Sequence, residues 1–133
     1  MKLLPCLIAL MCTLFGTHGA YAMTEAQVVK AVLGEARGCS AYEQEAIARA
    51  TLNRGSLRGV YGYKAVLPTL GVKTRLRALN ATKMAYKEDI TKGATHWLSS
   101  WDLAHCRESL IAWRHSMIIT LKTEHFTFYK ERA

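Results

Sequence analysis

Apolar residues recur at helical spacing over three stretches of the chain and gather into β-rich runs only near its end. Val28, Val29, Val32 and Leu33 share one face of residues 24–36, and Thr24 with Gln27 forms a capping-box pattern at the start. A second capping pattern, Ser40 with Glu43, precedes Ala46, Ile47, Ala50 and Thr51 on one face of the next helix. Val72, Leu76, Leu79 and Met84, interleaved with Arg75, Arg77, Lys83 and Lys87, predict a basic amphipathic helix over residues 72–87. Residues 117–122 and 125–129 are β-rich and separated by Thr123 and Glu124, which predicts a hairpin. Gly55, Gly59, Gly62, Gly71 and Pro68 mark a connecting loop over residues 54–72, a candidate cleft wall. The expected fold is mostly α with a small C-terminal β-hairpin, an α+β arrangement.

The first two helices meet at Gly34-Glu35-Ala36-Arg37-Gly38, which sets one carboxylate in a glycine-bounded corner. Unpaired carbonyls at a helix C-terminus favour the protonated form of a nearby carboxyl, the form needed to donate a proton to a leaving oxygen. A guanidinium favours the carboxylate instead, so the orientation of Arg37 matters. The bland alternative is a solvated glutamate in the last turn of an ordinary helix.

Residues 1–22 read as an export signal, with Lys2 as the charged start, an apolar run from Leu3 to Phe15, and Ala20-Tyr21-Ala22 as a small-residue cleavage site. Residues 23–133 would then form one catalytic domain, exported to the periplasm or secreted, with no stable membrane span after cleavage. Of the 18 Lys and Arg only Lys2 falls in that leader, and none of the 10 acidic residues does, leaving 17 against 10, a net charge of +7. Such a surface suits the anionic polymers of a bacterial envelope, and no basic run with interleaved aromatics suggests nucleic acid.

Cys39 and Cys106 follow the leader. In an oxidising compartment they are candidates for a disulfide, worth about 4 kcal/mol in the chain-entropy account; otherwise they are two buried thiols. His96, His105, His115 and His125 recur about every ten residues, which matches no compact ligand motif, so neither a metal nor a cofactor is expected; a Cys39, Cys106 and His105 cluster would hold zinc only if the thiols stayed reduced, which export disfavours. Residues 89–97 read as a loop delivering His96 and Trp97, and Trp97 and Trp101 have the rings to stack on sugars or to fill a core.

The glutamate corner, the Gly93-Ala94-Thr95-His96-Trp97 loop and the His125-Phe126-Thr127-Phe128-Tyr129 ending occur in the order seen in the SleB-type cell-wall hydrolases, which this chain resembles. Ala46 to Arg54, ending Leu-Asn-Arg, is similar to that family's second helix. The resemblance implies a lysozyme-like fold related to lytic transglycosylases. It also implies action on peptidoglycan glycan strands between N-acetylmuramic acid and N-acetylglucosamine, and a monomer is expected. The family's catalytic glutamate falls on Glu35; His96, Trp97 and Tyr129 would be cleft residues. The span from Gly55 to the Gly93 loop is shorter than the family's, and residues 99–107 replace its proline-rich segment.

Glu35 would act first as acid and then as base, with either water or the muramyl C6 hydroxyl attacking. Two-carboxylate glycosidases hold their pair ~5 to 9.5 Å apart. Glu43, Glu45, Asp89, Asp102 and Glu108 are the candidates for a partner, and none sits in a supporting motif. The route that needs one carboxylate, giving 1,6-anhydromuramyl ends, is therefore favoured. The rivals are a non-catalytic envelope-binding or assembly module and an anchored phage-type lysis muramidase.

Overall fold

The computed structural model describes residues 23–60, 62 and 70–133. The leader read over residues 1–22 and part of the 54–72 connection lie outside the described residues. Among the described residues no helix is long and apolar enough to cross a membrane.

Helix α1 spans Glu25–Ala36 and begins with the full reciprocal cap: the Gln27 N–H donates to Thr24 Oγ1 at 3.2 Å and the Thr24 N–H to Gln27 Oε1 at 2.9 Å. Helix α2, Ala41–Arg54, takes only half of its expected box. The Glu43 N–H donates to Ser40 Oγ at 3.2 Å, but the Glu43 carboxylate is buried and turned away from Ser40. It receives the Thr123 hydroxyl at 2.6 Å and the His125 backbone N–H at 2.9 Å on Oε2, and His125 Nδ1 lies 2.8 Å from Oε1. Capping was the weaker use of this side chain, because a buried carboxylate needs several donors. Helix α2 stops at Gly55, whose φ of 73° is left-handed and whose N–H donates to the Thr51 carbonyl.

Helix α3 spans Val72–Lys87, as the sequence predicts, but its inward face differs. Ala78, Ala81, Thr82 and Ala85 are buried, whereas Val72 is 74% and Leu76 50% exposed. Small side chains let α3 lie close against α2, and they share the helical spacing of the larger apolar residues. Reading size as burial therefore selected the wrong stripe.

The hairpin forms, and it carries a third strand that sequence reading left as loop. Strand β1 is His96–Ser99, β2 Met117–Lys122 and β3 Phe126–Glu131, in the antiparallel order β1-β3-β2. Four residues are too few to show an alternating pattern, so β1 had no signature. Trp97 stands opposite Phe128 and His96 opposite Tyr129. Phe126, Thr127, Phe128 and Tyr129 are all buried, as befits the central strand. Short helices α4, Ser100–His105, and α5, Glu108–Ile111, and a 3-10 turn over Ala112–Ser116 link β1 to β2.

The main core joins Val28, Val32, Ile47, Leu52, Ala85 and Phe128, with α2 touching α1, α3 and β1. Of the two alternatives for Cys39 and Cys106, the structure has the free thiols and no disulfide. They pack on different clusters, Cys39 against the main core and Cys106 beside Leu98, Ile111 and Tyr129, where its thiol points at Asp102 Oδ1 at 3.7 Å.

Candidate active site

Glu35 sits in the last turn of α1, half-buried, at the corner the sequence marks. Gln44 of α2 finishes that helix. Its Nε2 donates to the carbonyls of Ala36 at 3.1 Å and Arg37 at 3.3 Å, so two of the helix-end carbonyls are already paired. Arg37 is exposed. Burial pushes the Arg54 guanidinium below its ordinary value, and the Glu35 charge opposes that shift.

Two N–H donors fix the carboxylate itself. The Gly62 backbone N–H donates to Glu35 Oε1 at 3.2 Å, and Trp97 Nε1 donates to Oε2 at 3.4 Å. Gly62 can reach because it has no side chain. A Cβ there would fall 2.4 Å from the Gly34 carbonyl oxygen and 2.6 Å from its carbon, far inside contact distance. Gly62→Ala should therefore lower stability by about 1–3 kcal/mol and draw the N–H away from Glu35, as chemical denaturation would register; an unchanged midpoint would show that this backbone contact yields freely.

A loop held by α2 carries the next group. Asn53 Nδ2 donates to Asp89 Oδ2 at 3.1 Å and the Ala94 carbonyl at 2.9 Å, and Arg54 Nε to the Thr95 carbonyl at 2.7 Å. Asp89 in turn accepts the N–H groups of Thr91 and Gly93, each at 2.9 Å, across a turn in which Lys92 and Gly93 are left-handed. The Leu52-Asn53-Arg54 end of α2 thus anchors the loop that delivers His96.

His96 lines an open cleft of about 410 Å³ with Arg54, Gly93, Thr95, Lys130 and Glu131. Its Nδ1 lies 2.8 Å from Thr95 Oγ1, and its ring tilts against Trp113 at 5.1 Å. Burial, reinforced by the Arg54 charge and opposed by Glu131, pushes its pKa below the usual histidine value, which leaves a neutral imidazole at pH 7. Glu35 is not in the walls of this cleft; Arg54 lies between the two sites, touching the cleft and resting 4.9 Å above the Trp97 ring.

Two expected cleft residues have other surroundings. Trp97 is 9% exposed, with Arg54 over its ring and its indole N–H on the Glu35 carboxylate, so it is packed against protein on both counts. Tyr129 is 3% exposed and meets the edge of Trp113 at 5.4 Å; burial pushes its phenol pKa up, against the Arg114 charge and a hydrogen bond with Thr127. Trp101 is exposed and stacks on His105 at 4.6 Å. A tryptophan or tyrosine on a short strand gives no sequence sign of which side it faces.

Gln44 was not singled out from sequence, and Asn53 and Gly62 were named only within the Leu-Asn-Arg run and as a loop glycine. Gln44 left one trace, a polar residue at helical spacing with buried Ile47 and Thr51; Gly62 looked like any other loop glycine. Compared with known protein families, curated proteins and solved structures, the chain matches none.

Proposed function

We propose that this protein is a lysozyme-like peptidoglycan lytic transglycosylase in which Glu35 is the general acid and base. The observation that carries the reading is a half-buried carboxylate at a helix corner with both oxygens held by N–H donors from separate elements. Such fixing gives a proton donor the constant direction that transfer to a glycosidic oxygen requires. Arg54 and the neutral His96 supply hydrogen-bond donors for acetamido and hydroxyl groups of the glycan, and Lys130 adds positive charge toward peptide-stem carboxylates.

Support for a single-carboxylate route comes from the surroundings of the five carboxylates that the sequence offered as partners. Glu43 is buried on Thr123 and His125, Asp89 closes the loop turn, and Asp102 caps α4 through Ser99. Glu108 pairs with Arg114 at 3.0 Å and also with His115, while Glu45 is half-buried with its pKa pushed up by burial and by Glu88. After protonating the leaving oxygen, Glu35 becomes the base that takes the proton from the muramyl C6 hydroxyl. That oxygen closes onto C1 and yields a 1,6-anhydromuramyl end without water.

Digestion of purified peptidoglycan followed by mass analysis of the fragments tests this. Anhydromuramyl ends are the expected product. Reducing muramic ends alone would mean hydrolysis, and binding without any released fragment would replace the enzyme reading with an envelope-binding module.

A further inference from the structure

Three donor groups of different chemistry meet where the α1–α2 turn touches the hairpin. Cys39 contributes a thiol, Glu43 a carboxylate oxygen and His125 an imidazole nitrogen, and these atoms all lie within 4.8 Å of one another. They are 86 residues apart at the extremes, Cys39 to His125, so no spacing motif announces them. We propose that Cys39, Glu43 and His125 bind a zinc-class divalent cation that clasps the α1–α2 turn to the β2–β3 hairpin.

The donor set selects the cation. Thiolate and imidazole with one carboxylate suit zinc and its neighbours, whereas calcium and magnesium want oxygen alone. Glu43 is already oriented: its Oε2 takes the Thr123 hydroxyl and the His125 N–H, which turns Oε1 toward the imidazole. The geometry is close. Bonds of 2.0–2.3 Å in a tetrahedron put ligand atoms about 3.3–3.6 Å apart, so the 2.8 Å contact between His125 Nδ1 and Glu43 Oε1 opens slightly and the thiol moves in by about an ångström. Cys39 is half-buried and the His125 side chain 52% exposed, so both can turn.

Glu124, 84% exposed, lies 3.8 Å from His125 Nε2 at the edge of the cluster. Binding forms metal–sulfur and metal–nitrogen bonds and releases to buffer the thiol proton and the proton that His125 Nδ1 holds toward Glu43, unless that proton moves to a vacant Nε2; no electron is transferred. Three protein ligands leave the fourth position to solvent.

Cobalt(II) titration of the purified, reduced protein gives the decisive signature. One equivalent should produce a thiolate-to-cobalt charge-transfer band that zinc displaces. Cys39→Ser should abolish the band and weaken zinc binding by about 100-fold, while Cys106→Ser leaves both unchanged. In the unaltered protein, zinc should slow iodoacetamide alkylation of Cys39 at least tenfold and leave Cys106 unaffected. No band, a band that survives Cys39→Ser, a band lost in Cys106→Ser, or equal alkylation of the two thiols would each overturn the proposal.

Discussion

Glu35→Gln is expected to cut glycan cleavage by roughly 10²–10⁴-fold while the protein stays folded and still binds wall polymer, because the change removes the proton and keeps the shape. The amide oxygen can keep the Gly62 N–H, the shorter of the two contacts at 3.2 Å. Its NH₂ then faces the Trp97 indole N–H, so one contact of 3.4 Å is lost at a cost of about 1 kcal/mol. The prediction is thus a split: turnover collapses while the unfolding free energy falls by only about 1 kcal/mol. Cleavage rates on purified peptidoglycan beside denaturant melts of both proteins measure it. Activity within tenfold of the original would remove Glu35 from the chemistry.

Asn53→Ala should have the largest effect on stability, about 3 kcal/mol. One side chain serves both α2 and the loop: Nδ2 gives to Asp89, Thr91 and the Ala94 carbonyl, and Oδ1 receives Arg49 Nε at 3.0 Å. Removing it takes one donor each from the Ala94 carbonyl and the Asp89 carboxylate and an acceptor from Arg49 Nε, all in one half-buried cluster. The same cluster sets an acid limb. Burial pushes Asp89 up, but the Thr91 hydroxyl, the Asn53 amide and two backbone N–H groups outweigh it and hold the carboxyl below its ordinary value. A folded pKa below the unfolded one gives stability that is present above the unfolded value, near pH 4, and is lost as pH falls through the folded value. Denaturant midpoints from pH 6 to pH 2 should therefore fall less steeply in Asn53→Ala than in the unaltered protein; parallel curves would show that Asn53 does not help depress Asp89.

The helices and the hairpin were legible because their signals are local. Thr24 with Gln27 caps α1, and Gly55 stops α2 in the left-handed region. The misreadings share one cause, partners distant in sequence. Glu43 met a hairpin some eighty residues away, which no capping rule anticipates. The alanine face of α3 is inward because α2 comes close, and alanine alone gives little hydrophobic contrast. At the candidate site the acid was visible, since glycines bracket it, but its donors were not. Gly62 acts through a backbone N–H, and any residue except proline has one. Trp97 acts through its indole edge from a strand of four residues.

Helix α2 is also a ruler. Gln44 near one end holds the corner beside Glu35, and Asn53 and Arg54 at the other hold the loop before His96. Each residue advances an α-helix by about 100° and 1.5 Å, so the phase between those ends is fixed by the number of residues separating them. A single residue inserted between Gln44 and Asn53 would turn one end out of phase with the other. The helix could then serve the acid or the imidazole, but not both, which makes the length of this segment as much a determinant of the site as any side chain on it.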